Sequence, residues 1–221
     1  MALIIGNVFA YIVSSKDRLV LTLKEKIQIA PNIYEFIFQA NKKLNFVPGQ
    51  YLEWTIPVQK PDSRGNRRYM TIASSPTESD IRISTKYYKE PSSFKKTLIA
   101  LNTSIVASQL AGDFTLPKDA KVKLALVAGG IGITPFCSMI KYLIDTHQIR
   151  DIILIYINKT AEEIVYKDIL EYVPTIYINT SEVGHLNDKM INDKMSDAKD
   201  RTWYISGPHN IVSATEKLLK E

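Results

Sequence analysis

The sequence predicts a chain of two parts, an antiparallel β-barrel followed by a doubly wound parallel sheet, and three observations carry that reading. Short β-rich runs separated by Pro, Gly, Asn and Asp turns fill the first half. From about Lys118 onward, apolar β segments alternate with helical ones, the pattern of a parallel α/β sheet. Between them "LPKDA", residues 116–120, supplies a proline and a turn. The expected division is an apolar arm or membrane-proximal segment over 1–17, a barrel over 18–118 and an α/β domain over 119–221.

Taken in order, "MALIIGNVFAYIVSS" is apolar and uncharged, but it is shorter than the roughly 20 residues that a spanning helix needs. It also lacks the basic start of a secretory signal. Two readings stay open for it: an edge strand or packed arm, and the tail of a membrane helix. The barrel strands are read from "RLVLTLKEKIQIA", "IYEFIFQA", "QYLEWTIPV", "YMTIASS" and "IRISTKYY". In the second half, "KLALVA", "DIILIYIN", "TIYIN" and "WYISG" are the strands. Helices are expected over 135–147, 161–172 and 186–195, with a closing helix through Leu219.

Composition narrows the function. The 221 residues suffice for one large or two ordinary domains with a proper core. A single cysteine, Cys137, excludes an internal disulfide framework, a four-cysteine zinc site and a cysteine-held iron–sulfur cluster within one chain. Three scattered histidines show no metal-ligand spacing, so no metal site is expected. The net charge of +5 is spread along the chain, and no nucleic-acid motif accompanies it, so nucleic acid is not an expected partner.

Three stretches carry chemistry. "NRRYMTIASSP", 66–76, sets Arg67 and Arg68 on opposite faces of a strand, which points to a nearby anion. "VAGGIGITPF", 127–136, follows an apolar strand with Gly129, Gly130 and Gly132, then Thr134 as N-cap and Pro135 as first helical residue. Such a loop delivers a helix N-terminus to an anion such as a pyrophosphate. It is neither a Walker A loop nor GxGxxG in spacing. "EPSSFKKTL", 90–98, offers Ser92 or Ser93 as the cap of a short helix, either as a second anion site or as an ordinary surface helix.

"RRYMTIASSP", "SSFKKTL", "GDFTLP", "GGIGITPF" and "ISGP" resemble, in order and approximate spacing, the motifs of the ferredoxin-NADP reductase superfamily over about Leu19 to Leu219. The resemblance is strongest to bacterial reductases in which membrane helices precede this domain pair. It implies an FAD-binding barrel and a nicotinamide dinucleotide domain, with hydride passing from NADH or NADPH to the flavin.

Residue by residue, the resemblance makes Arg68 the pyrophosphate contact and Thr71 a hydroxyl near flavin N5. The family's aromatic position is Met70 here. Either Met70 packs on the isoalloxazine or Tyr69 takes part of the role, although strand alternation points Tyr69 to the other face. Lys86 matches a position near the flavin phosphates, and Ser92, Ser93 and Phe94 match the short helix that receives them. Gly129, Gly130, Gly132, Thr134 and Pro135 match the dinucleotide loop. Ser206, Gly207 and Pro208 stand where relatives commonly have Cys-Gly-Pro beside the nicotinamide. Relatives often continue to an aromatic residue that covers the flavin, and this sequence stops at Glu221, so the expectation is an unusually open flavin or an absent cover.

The implied function is an FAD-dependent NAD(P)H oxidoreductase in which Thr71 and Ser206 lie nearest the chemistry. Electrons would pass to a separate redox protein, or to a haem or iron–sulfur acceptor on another chain. The expected location is the cytoplasm, with the cytoplasmic face of a membrane as the option that the apolar terminus adds. The other reading, favoured by Met70 and Ser206, is a non-catalytic flavin- or nucleotide-binding regulatory or electron-transfer subunit.

Overall fold

The computed structural model describes residues 18–220. The reading of 1–17 as an arm or membrane-proximal segment falls outside the described residues. Among the described residues, no helix is long and apolar enough to cross a membrane.

The first half is a six-stranded antiparallel sheet built from β1 (Leu19–Ala30), β2 (Ile33–Ala40), β3 (Tyr51–Thr55), β4 (Arg67–Thr71), β5 (Asp80–Lys86) and β6 (Ser104–Ala111), in the order β4-β3-β6-β1-β2-β5. Alternation explains these strands: Leu19 and Leu21 are buried while Val20 and Thr22 are exposed, and Phe36 and Phe38 face the same interior. A short helix, α1 (Ser93–Ile99), buries Phe94 and Leu98 in the barrel core beside Trp54, Leu52 and Ile83. The strand order leaves β4 and β5 as the two edges. They meet just past β4, where the Ala73 amide donates to the Arg82 carbonyl at 2.8 Å.

The second half is a four-stranded parallel sheet in the order β10-β7-β8-β9, from β7 (Leu124–Gly129), β8 (Ile152–Asn158), β9 (Thr175–Asn179) and β10 (Thr202–Ser206). Every residue of β7 is buried, as expected of a strand covered on both faces. Helices α2 (Thr134–Asp145), α3 (Lys167–Leu170), α4 (Thr180–Val183), α5 (Asp188–Lys194) and α6 (His209–Leu218) complete it. Phe136, Met139, Ile140 and Leu143 of α2 pack against Leu126, Leu154 and Tyr156 on one side of the sheet, and Ile191 and Met195 cover Val127 and Ile155 on the other. This is the predicted fold class, an antiparallel barrel followed by a parallel doubly wound sheet.

Three local expectations are corrected. Residues 161–172 do not form one helix. A 3-10 turn over Ala161–Glu163 is followed by an extended step at Ile164 and a left-handed Tyr166, so that helical geometry resumes only at α3. Thr134 is not an N-cap: it lies inside α2, a 3-10 turn over Gly130–Ile133 precedes it, and its hydroxyl donates back to the Ile131 carbonyl at 3.2 Å. Strand β6, "SIVASQLA", was not among the expected strands. It sits between β3 and β1, where pairing on both edges stabilises a segment with only modest intrinsic strand preference.

The halves are joined by apolar and polar contacts. Phe114, between β6 and β7, packs on Phe136 and Tyr204 at ring-centre distances of 5.6 and 5.2 Å. Gly49, before β3, comes so close to this joint that a methyl built on it would overlap the Phe114 carbonyl and lie 2.6 Å from Met139 Cε.

Candidate functional site

On β4, side-chain alternation separates the two arginines as expected: the Arg67 side chain is 62% exposed and that of Arg68 only 10%. The Arg68 guanidinium lies 5.2 Å from the Phe94 ring centre, beside the start of α1. Its Nη2 donates to both oxygens of the Asp62 carboxylate at 2.8 and 3.1 Å, and its Nη1 donates to the carbonyls of Arg64, Gly65 and Arg67. Asp62 is pinned in turn, because its amide donates to Ser93 Oγ at 2.9 Å and Oδ1 accepts from the Arg64 amide. Desolvation raises the Asp62 carboxyl, but the Arg64 amide and the Arg68 guanidinium outweigh it and hold the group below the ordinary carboxylate range.

Arg68, Ser93 and Phe94 therefore meet around one anion, and in this structure the anion is Asp62. Sequence reasoning missed Asp62, although "KPDSRG" has the Asp-to-Gly spacing of a turn that brings an acid back toward its own strand. Ser92 takes the expected capping role and accepts from the Lys95 amide at 3.3 Å. Lys86 lies elsewhere in the network, paired with Glu163 of the α/β half at 2.6 Å.

Met70 shares the Arg68 face and packs against the barrel core, opposite Leu52. Tyr69 points the other way, 59% exposed, edge-on to Tyr51, with its hydroxyl donating to Gln109. Alternation thus keeps Tyr69 off the face that Arg68 and Met70 share. Thr71 ends β4 opposite Tyr51.

The second cluster lies at the carboxyl ends of β7 and β10. The sheet order makes the gap between these strands the point where the chain's winding reverses, which is where ligands collect in such sheets. Gly130 has φ +52°, and nothing lies within 4 Å of where a methyl would stand, so a left-handed turn leaves an open surface there. No side-chain cap occupies the start of the 3-10 turn or of α2, which leaves that end suited to an anion.

Gly132 sits at a close approach of two loops. A methyl there would overlap the Ser206 carbonyl and lie 2.6 Å from Gly207 Cα, so this glycine lets the two loops touch. Gly207 in turn packs on the Gly129 backbone, and Pro208 and Ile211 close over Gly129. Pro135 and Thr134 are buried in the first turn of α2.

The elements that carry the two clusters touch. The loop that follows β4 receives a hydrogen bond from Ser138 of α2, Oγ to the Ser74 carbonyl at 2.7 Å. Among the described residues, no three His, Cys, Asp or Glu side chains gather as a metal set. Cys137 is fully buried, and that burial pushes its thiol pKa up, so it stays a neutral core residue.

Residues 126–217 match the family model of the oxidoreductase NAD-binding domain. Flavohemoprotein A of Dictyostelium discoideum is 26% identical over 220 residues, covering 89% of this chain and 55% of that protein. The chain spans about half the length of the first flavohemoproteins it matches. A probable dihydroorotate dehydrogenase B (NAD(+)) electron transfer subunit of Pyrococcus horikoshii is 29% identical over 205 residues, covering 90% of this chain and 73% of that one. Among solved structures, the flavohem-like FAD/NAD binding domain of nitric oxide dioxygenase from Vibrio cholerae superposes with a TM-score of 0.78 at 17% identity, covering 92% of this chain and 93% of that one. The second half of the chain thus matches an oxidoreductase NAD-binding domain, and nearly its whole length shares the two-domain fold of that FAD/NAD binding domain.

Proposed function

We propose that this chain is an FAD-dependent NAD(P)H oxidoreductase that passes electrons to a separate one-electron acceptor. The observation that carries it is the presence of two anion-suited sites on touching elements of one chain. One is the Arg68–Ser93–Phe94 cluster between β4 and α1 of the barrel, and the other is the glycine crevice between β7 and β10. FAD, when bound, supplies the redox chemistry, accepting hydride from the nicotinamide and releasing electrons one at a time.

The residues present fit that cofactor. Arg68 already holds a two-oxygen anion through its Nη2, and a diphosphate would take the place of the Asp62 carboxylate there. Arg68, Ser92, Ser93 and Phe94 would hold the flavin diphosphate end, and Lys86 would join them only by leaving its Glu163 partner. Thr71, Met70 and Tyr69 lie along the edge strand that would carry the flavin ring. Gly130 and the uncapped start of α2 would hold the nicotinamide nucleotide's diphosphate, with Gly129, Gly132, Thr134 and Pro135 shaping that loop and Ser206, Gly207 and Pro208 beside the reacting ring. The acceptor would be a haem, an iron–sulfur centre or a redox protein on another chain.

Arg68→Ala should weaken flavin retention roughly 10- to 100-fold, since a hydrogen bond to a charged group contributes about 1.5–3 kcal/mol. Equilibrium dialysis of flavin against wild type and variant checks this. Equal affinity would remove Arg68 from the site, and release of FMN on denaturation would remove FAD as the cofactor.

Ser206→Cys should change the rate constant of anaerobic flavin reduction while leaving flavin content within about 10% of wild type, because hydride transfer responds to ring placement and needs no ionised nucleophile. Stopped-flow traces that superimpose would leave Ser206 as a strand-end residue. Tight FAD binding without reduction by NADH or NADPH in wild type would favour a regulatory subunit instead.

A further inference from the structure

We propose that Tyr166 is a positioning residue that holds the nucleotide domain against the barrel in the orientation required for hydride transfer. The inference rests on the oxidoreductase reading above. Tyr166 precedes α3 with φ 60° and ψ 29°, left-handed backbone that a bulky residue adopts only where its surroundings over-determine it. Such outliers cluster at functional sites and earn a functional hypothesis when observed.

Here the tyrosine ring packs against the core of the α/β half, and its hydroxyl reaches across to the barrel. Its hydroxyl donates to Glu35 Oε1 of β2 at 2.8 Å and shares a further hydrogen bond with Ser84 Oγ of β5. Both partners are buried. Glu35 is also paired with Arg82 at 3.6 Å, and Arg82 with Glu78 at 2.8 Å, so the acceptor that Tyr166 meets is itself fixed. Burial raises the phenol pKa well above its usual range, which keeps it a hydrogen-bond donor throughout neutral pH.

Other contacts cross the same seam: Ser138 to the Ser74 carbonyl, Thr77 to Asp145, and Lys86 to Glu163. Tyr166 differs from them in joining buried side chains on two separate barrel strands. It also closes the segment that leaves β8, the strand beside β7. Fixing Tyr166 on β2 and β5 therefore fixes the strand ends that carry Gly129–Gly132 relative to the barrel edge that carries Arg68 and Thr71. A misplacement of about 1 Å by a change away from the reacting atoms costs on the order of 100-fold in rate.

The test is Tyr166→Phe, which removes both hydrogen bonds and keeps the ring. Expected are wild-type flavin content, a dissociation constant for NAD(P)+ within about twofold of wild type, and an anaerobic flavin reduction rate lower by about 10- to 100-fold. The absorbance band of the stacked nicotinamide–flavin pair should weaken in parallel, a change that a merely stabilising contact would not produce. Ser84→Ala, which keeps the Glu35 contact, should give a smaller loss of the same kind, and it carries the test if Tyr166→Phe fails to fold. Wild-type reduction rates in a folded Tyr166→Phe, or in Ser84→Ala when the first variant is lost, would overturn the proposal. Absence of reduction in wild type would overturn the oxidoreductase reading and this proposal together, and is told apart by needing no variant.

Discussion

Gly49→Ala is expected to lower the melting temperature by about 5–15 °C, a large effect for one methyl group. Gly49 has φ +98°, where an L side chain is strained, and left-handed backbone costs roughly 1–2 kcal/mol. The new methyl would also overlap the Phe114 carbonyl and crowd Met139 Cε. Met139 can shift, but the Phe114 backbone is held by the packing of its ring on Phe136 and Tyr204 and cannot follow cheaply. Overpacking of this kind adds about 1–3 kcal/mol. Because the overlap lies where the barrel meets α2, the loss should loosen the joint between the halves as well as the turn. Thermal unfolding followed by circular dichroism checks it, and an unchanged transition would show that the 114 segment yields freely.

Gly132→Val should lower the rate of flavin reduction by NADH or NADPH by at least about 100-fold while flavin stays bound. The cause is the contact between loops. The first carbon of the new side chain would strike the carbonyl of Ser206 and Cα of Gly207, both backbone, and the two branches of valine would enlarge the overlap. The loop after β7 and the loop after β10 would have to part, and the crevice between them is where the nicotinamide ring is proposed to sit. The barrel keeps its own core of Phe36, Phe38, Trp54 and Phe94, so flavin retention should not follow. Flavin content by absorbance and stopped-flow reduction separate the two effects. Wild-type kinetics in a folded Gly132→Val would dissociate this loop pair from the nucleotide.

Arg67 and Arg68 illustrate what the sequence determined by itself. A strand turns successive side chains to opposite faces, so the division between an exposed and a buried arginine needed no knowledge of the rest of the chain. The same holds for the alternation of β7, α2, β8 and β9, because hydrophobic period and glycine punctuation are local properties. The glycine-rich turn was legible as a loop, but which glycine did what was not. Gly130 carries the left-handed backbone, whereas Gly132 is needed because β10 delivers the Ser206 carbonyl against it from more than seventy residues away.

Tertiary structure decided the partners. Arg68 was readable as an anion binder, but its Asp62 counter-ion depended on how the loop between β3 and β4 folds back. The helix expected over 161–172 is broken at Tyr166, whose own sequence gives no sign of a left-handed backbone. What holds that conformation is Glu35, 131 residues away in the chain, and Ser84, 82 residues away. Local propensity is a matter of tenths of a kcal/mol per residue. A buried hydrogen bond to a fixed carboxylate is worth more than that, so the docking of the two halves overrides the local preference.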